Sequence, residues 1–246
     1  MAVTRMNDPS NRAEGVIAVG ASAGGVQALM QFAAGLSPEL PYAVMIVLHM
    51  RPEAPSALAK IIDRSGPLPA VTAHNGGELT AGRIYVGTPG RHLLALDHTT
   101  VLAMGPTENG HRPSINALFR SVALAFGSRA VGVLLSGVLD DGVLGLGAIR
   151  SRGGVTVCQQ PGDALFPAMP TNAFEAGVVD HRVSAGEMGT LIDDLVARES
   201  EELQMEANVG SGAVQRRYLS AAGEAENALS VIGGRLGLTN SEGGGS

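Results

Sequence analysis

Tryptophan is absent from this chain of 246 residues and aromatics make up 3% of it, so aromatic stacking is a poor basis for gripping bases or sugars. The single cysteine, Cys158, excludes an internal disulfide and any multi-cysteine zinc site. Lys60 is the only lysine, and no Gly-Lys-Ser/Thr follows a glycine-rich turn, which excludes a P-loop. Basic charge is in deficit too. The formal net charge is −6 and the pI about 5.5, against a nucleic-acid partner held by phosphate neutralisation. No apolar run reaches the length of a membrane span and the N-terminus lacks a signal-peptide apolar region, so the expected address is cytoplasmic, without membrane insertion.

What is present suits a core-rich globular protein: apolar residues are 45% and charged residues 16%. The chain turns on residues 16–25, Val-Ile-Ala-Val-Gly-Ala-Ser-Ala-Gly-Gly. Val16 to Val19 is apolar without polar alternation, the mark of a parallel strand buried on both faces. It runs into a glycine-rich turn that opens a helix, and Gly20-Ala21-Ser22-Ala23-Gly24 fits G-x-S-x-G in strand–turn–helix context. Three readings stand for such a turn: a nucleophilic serine, a phosphate cradle at a helix N-terminus, or close packing of the backbone. The dinucleotide fingerprint does not fit, because Gly20 and Gly24 are wrongly spaced for it.

Along the chain, residues 1–14 are polar and without period, an expected disordered lead. A helix is predicted over 26–36, a second buried strand over 43–48 ending at His49, and a helix opened by Pro55. Residues 66–104 hold short strand-like runs separated by Asn75-Gly76-Gly77, Ala81-Gly82, Pro89-Gly90 and Asp97-His98, which predicts an antiparallel hairpin patch. Pro113 starts an amphipathic helix with Ile115, Leu118, Phe119, Val122 and Phe126 on one face. Strand–helix alternation returns with Ala130 to Leu135, Gly154 to Cys158, a last strand at Val178-Val179 and a helix over 185–198. The fold class expected is α/β, a doubly wound and mostly parallel sheet with a hairpin patch and a helical C-terminal appendage. The organisation expected is a lead over 1–14, a single α/β domain over 15–198, an acidic helical docking or oligomerisation segment over 199–238, and a Gly/Ser-rich tail over 239–246.

In open parallel sheets ligands bind outside the carboxyl ends of the strands. Three such ends here carry reactive residues: Ser22, His49 and the pair Asp140-Asp141. A serine is a weak nucleophile at its own pKa, an imidazole can take its proton, and a carboxylate can fix the imidazole's tautomer. Each has a plainer role: a hydrogen-bonded structural histidine, or an aspartate capping the next helix. His111, in the loop before the Pro113 helix, is a candidate pocket residue, and Cys158 reads as buried filler.

Gly-Ala-Ser-Ala-Gly-Gly, Leu48-His49-Met50-Arg51-Pro52, His111-Arg112-Pro113-Ser114 and Ser136-Gly137-Val138-Leu139-Asp140-Asp141-Gly142 resemble, in order and spacing, the chemotaxis protein-glutamate methylesterase family, CheB. The resemblance covers about residues 15–197 and extends to Pro89-Gly90-Arg91-His92-Leu93 and Phe166-Pro167-Ala168-Met169-Pro170. It implies a hydrolase of glutamate γ-methyl esters on the cytoplasmic domains of methyl-accepting chemotaxis receptors, often also a glutamine deamidase, needing neither metal nor organic cofactor. It places the nucleophile on Ser22, the base on His49 and the orienting carboxylate on Asp141 rather than Asp140. Val138 stands at the family's oxyanion-hole methionine, where a backbone N–H serves whatever the side chain. Leu139 replaces a glycine, which is expected to alter the loop's shape, and Ala23 replaces a threonine beside the acyl site. Family enzymes commonly begin with a receiver domain; residues 1–15 alone precede the first strand here, so control by a separate regulatory protein, or none, is expected. The rival readings are a non-catalytic scaffold on the same fold and an esterase or amidase for another substrate.

Overall fold

Residues that are apolar without interruption become strands that no solvent touches. In the computed structural model, which describes residues 11–53 and 56–198, β1 (Val16–Ala21), β2 (Ala43–Leu48) and β8 (Ala130–Leu134) are buried at every position. They form the centre of a seven-stranded sheet ordered β10-β9-β8-β1-β2-β5-β3, in which every pairing is parallel. Its other members are β3 (Ala70–Thr72), β5 (Ile84–Val86), β9 (Val155–Gln159) and β10 (His181–Val183). A second sheet of three short strands, β4 (Gly77–Glu78), β7 (Thr99–Ala103) and β6 (His92–Leu96), is antiparallel.

The hairpin patch is therefore smaller than the turn residues suggest. β3 and β5 belong to the parallel sheet, and only β6–β7, closed by Asp97 and His98 at φ 45° and 62°, is a tight hairpin. The last strand lies at His181–Val183, while Val178 and Val179 pack against the core ahead of it. Helix α2 is Leu58–Asp63, with Leu58 N donating to Ser56 Oγ at 3.3 Å; Pro55, expected to open this helix, lies outside the described residues. The helix expected from Pro113 is α3 (Ile115–Phe126), with Ser114 as its N-cap. Helices α1 (Gly25–Ala34), α4 (Val143–Ser151) and α5 (Ala168–Glu175) and a helix over 188–198 complete the layers among the described residues.

Part of the expected lead is ordered: Ala13 N donates to Leu79 O at 3.1 Å and Glu14 N to Pro41 O at 3.0 Å. The chain divides into two units, Met1–Leu195 and Val196–Ser246; of the second, residues 196–198 alone are described. The expectations for 199–238 and 239–246 lie outside the described residues.

Register sets the site. β1 pairs β2 as Val16↔Ala43 through Ala21↔Leu48, so the next pair in line is Ser22 and His49. β8 lies on the other side of β1 with Gly20↔Leu134, which brings Ser136 O to the Ser22 amide at 2.9 Å. Helix α3 presses its first turn onto β1 at Gly20, where a Cβ would lie 2.3 Å from Ile115 Cγ2. Gly20→Ala is expected to cost about 1–3 kcal/mol through that overpacking, read as a lowered midpoint in denaturant.

Candidate active site

The turn after β1 is closed by Gly25 N donating to Ser22 O at 2.9 Å. Gly24 takes the left-handed backbone, φ 70°, that lets the chain reverse. Ser22 itself stays out of that region, so the turn's left-handed residue is a glycine and the serine is spared strain. Ser22 is half-buried, with its hydroxyl turned toward β2's end.

His49 Nδ1 stands 3.1 Å from Ser22 Oγ, and His49 Nε2 stands 2.8 Å from Asp141 Oδ2. An ionised carboxylate only accepts, so the Nε2 side holds the proton and the Nδ1 lone pair faces the Ser22 hydroxyl. The two side chains are 6% and 1% exposed, so water does not compete for this pair. Asp141 takes three further donors: Ile115 N at 2.8 Å on Oδ2, and Ser114 Oγ and Asn116 N, each at 3.1 Å, on Oδ1. Burial pushes the Asp141 carboxyl up, but hydrogen bonds from His49, Ile115 and Asn116 outweigh it and hold the group below the usual carboxylate range.

The capping role open to the aspartates takes an unexpected form. Asp141 caps the N-terminus of α3, where the macrodipole favours a negative charge, rather than that of α4, the helix next in sequence. The first turn of α4 is served instead by Asn116 Oδ1, which accepts from Gly142 N at 3.0 Å and Gly145 N at 2.8 Å. Asp140 is exposed and does not reach His49 by any hydrogen bond among the described residues.

His111 lies flat on His49, ring centroids 3.6 Å apart and planes 10° from parallel. A four-residue turn delivers it, with Glu108 and His111 exchanging backbone hydrogen bonds of 2.9 and 3.1 Å and Asn109 and Gly110 at φ 51° and 77°. Arg120, from α3, fixes that turn through Glu108 at 2.6 Å. Burial first, and then the neighbouring His49, hold the His111 imidazole below its ordinary pKa, with Asp141 opposing.

Ala23 follows the serine and Val138 follows Gly137, where a Cβ would lie 2.9 Å from the Ser22 Cβ; among the described residues the Ala23 and Val138 amides donate to no acceptor. Leu139 sits at φ 67° with its carbonyl accepting from Asn172 Nδ2 at 2.8 Å. That is the left-handed backbone that a glycine adopts without strain and a leucine seldom does. Cys158 is fully buried, its thiol pushed up to about 11 by that burial, which suits filler and not a nucleophile. Among the described residues no group of His, Cys, Asp and Glu side chains could hold a metal ion, and no helix is long and apolar enough to cross a membrane.

Sequence reasoning misses the Ser114–Asn116 cradle of Asp141 and the Glu108–Arg120 pair. The N-cap signal of Pro113-Ser114 ahead of an amphipathic run is visible, but not the carboxylate it meets.

Compared with known proteins, residues 17–192 match the family model described as CheB methylesterase. A protein-glutamate methylesterase/protein-glutamine glutaminase of Geobacter metallireducens is 36% identical over 181 residues, 73% of this chain and 52% of that protein. One from Anaeromyxobacter dehalogenans is 41% identical over 168 residues, covering 67% and 49%. The chain thus spans about half the length of the curated relatives it matches. The CheB methylesterase catalytic domain of Thermotoga maritima shares the fold, with a TM-score of 0.71 at 24% identity over 74% of this chain and 98% of that one.

Proposed function

The chain belongs to the CheB methylesterase family, and from that premise we propose that it demethylates glutamate γ-methyl esters on the cytoplasmic domains of methyl-accepting chemotaxis receptors. The observation that carries the reading is the unbroken hydrogen-bonded line from Ser22 Oγ through His49 to Asp141. Ser22 Oγ attacks the ester carbonyl carbon while His49 Nδ1 takes the hydroxyl proton. Asp141 stabilises the imidazolium that results. The amides of Val138 and Ala23 receive the oxyanion. The carbon–methoxy bond then breaks, His49 returns its proton to the leaving oxygen, and methanol departs. Water attacks the Ser22 ester with His49 again as base, freeing the glutamate carboxyl and restoring Ser22. A glutamine side chain can follow the same course with ammonia as the leaving group, consistent with the glutaminase named in the relatives.

His111 acts as a positioning residue: its ring limits rotation of His49 and excludes water from one face of the base. A stacked ring pair contributes about 0.5–1.5 kcal/mol, so His111→Ala should lower kcat about three- to tenfold with little change in KM. His111→Phe, which keeps a flat ring there, should recover most of that loss. Equal loss in both variants would contradict the stacking role.

The test of the reading is conversion of a methylated receptor fragment to free glutamates, beside labelling of Ser22 by a fluorophosphonate. Labelling without conversion reassigns the enzyme to another ester. An unreactive Ser22 in the folded protein makes the chain a scaffold.

A further inference from the structure

Leu139 holds a left-handed backbone, φ 67°, which residues bearing a Cβ adopt only at a cost. Burial does not repay that cost, since the leucine is 62% exposed. Nor does its one described hydrogen bond require a leucine, because Asn172 Nδ2 binds the main-chain carbonyl. Strain kept at a site without structural return points to function.

Its surroundings point the same way. Val138, Leu165 and Phe166 are 40%, 68% and 41% exposed. The two segments that carry these four residues are stitched together: Gly137 N donates to Phe166 O at 2.9 Å, Phe166 N to Ser136 Oγ at 3.0 Å, and Met169 N to Gly137 O at 3.0 Å. Both segments abut the nucleophile. A Cβ at Gly137 would lie 2.9 Å from the Ser22 Cβ, and one at Gly24 would lie 2.9 Å from the Phe166 ring and 3.0 Å from the Leu165 Cβ. Exposed hydrophobes scattered singly need no explanation, but four of them on two hydrogen-bonded segments beside the serine do.

We propose that Val138, Leu139, Leu165 and Phe166 form an apolar docking rim for the residues that flank the scissile side chain on a protein substrate. The inference rests on Ser22 being the nucleophile. A side-chain carbonyl can reach Ser22 Oγ only if the polypeptide that bears it crosses this neighbourhood, so the substrate itself covers the rim. Leu139 enlarges the rim where the family motif it resembles has only a glycine.

The test measures kcat/KM for a methylated receptor fragment, p-nitrophenyl acetate and p-nitrophenyl octanoate, in wild type, Leu139→Gly and the double variant Leu165→Ser/Phe166→Ser. Losing one large apolar contact of this kind is expected to lower the receptor-to-acetate ratio about tenfold, and the octanoate-to-acetate ratio should fall in the same variants. If receptor and acetate turnover fall together, or neither ratio moves, the rim is overturned. So it is if sedimentation shows a wild-type dimer that the substitutions dissociate, which would assign the face to a second copy. A wild type that hydrolyses both nitrophenyl esters but not the receptor fragment, with the octanoate preference lost in the variants, rejects the methylesterase reading and retains the rim.

Discussion

Ser22→Ala should reduce ester turnover by about four orders of magnitude or more, with the fold intact. The size of the effect follows from the arrangement. Without Oγ, the His49 base has no alcohol to activate, and only oxyanion stabilisation and binding remain. The fold is expected to survive because the side chain supports nothing else. Among the described residues Ser22 Oγ meets only His49, while the turn is held by the Ser22 amide on Ser136 O and by Gly25 N on Ser22 O. Thermal melting and fluorophosphonate labelling check the two halves: an unchanged melting profile, and no label. A folded Ser22→Ala protein with appreciable turnover would remove Ser22 from the chemistry.

Asp141→Asn should behave differently, losing both activity and stability. Each carboxylate oxygen already accepts a backbone N–H, Ile115 on Oδ2 and Asn116 on Oδ1. An asparagine must turn its NH2 against one of them, whichever way the amide is flipped. That conflict, buried, costs about 1–3 kcal/mol. The amide also no longer holds the proton on His49 Nε2, so the Nδ1 lone pair that serves Ser22 is lost and kcat should fall by about ten-thousand-fold. The pH dependence has a definite sign. The Asp141 pKa is lowered in the folded state, so its stabilising contribution is complete above the ordinary carboxylate pKa of about 4 and disappears as pH falls through the lowered value. Denaturant midpoints measured downward from pH 5 should therefore drop in wild type and drop less in Asp141→Asn. Parallel profiles would show that Asp141 is not the ionised, hydrogen-bonded group described.

Ser22 and Asp141 also differ in how legible they are in the amino-acid sequence. Val16–Ala21, Ala43–Leu48 and Ala130–Leu134 announce themselves because strands buried on both faces must be apolar throughout, and their ends deliver Ser22 and His49 to one edge. Asp141 is visible in the sequence only as one of two adjacent aspartates; periodicity and spacing leave the pair open, and the resemblance chooses between them. Its partners on α3 are illegible, because a backbone amide has no sequence signature and the meeting is tertiary. The same limit hides the stack of His111 on His49: a lone histidine in a glycine-rich loop says nothing of the ring beneath it. β3 and β5 mislead for another reason. Three-residue strands between turn residues look alike whether they join a hairpin or extend a parallel sheet, and only the long-range pairings Ala70↔Ile84 and Val44↔Ile84 decide. At Leu139 no sequence rule announces the left-handed backbone, φ 67°, because such positions favour glycine.

Methanol release from a methylated receptor cytoplasmic fragment, followed in time with the wild-type chain, tests the central claim most directly. The account predicts release proportional to enzyme, with one methanol for each glutamate carboxyl freed. No release, from a folded protein whose Ser22 accepts a fluorophosphonate, would contradict it.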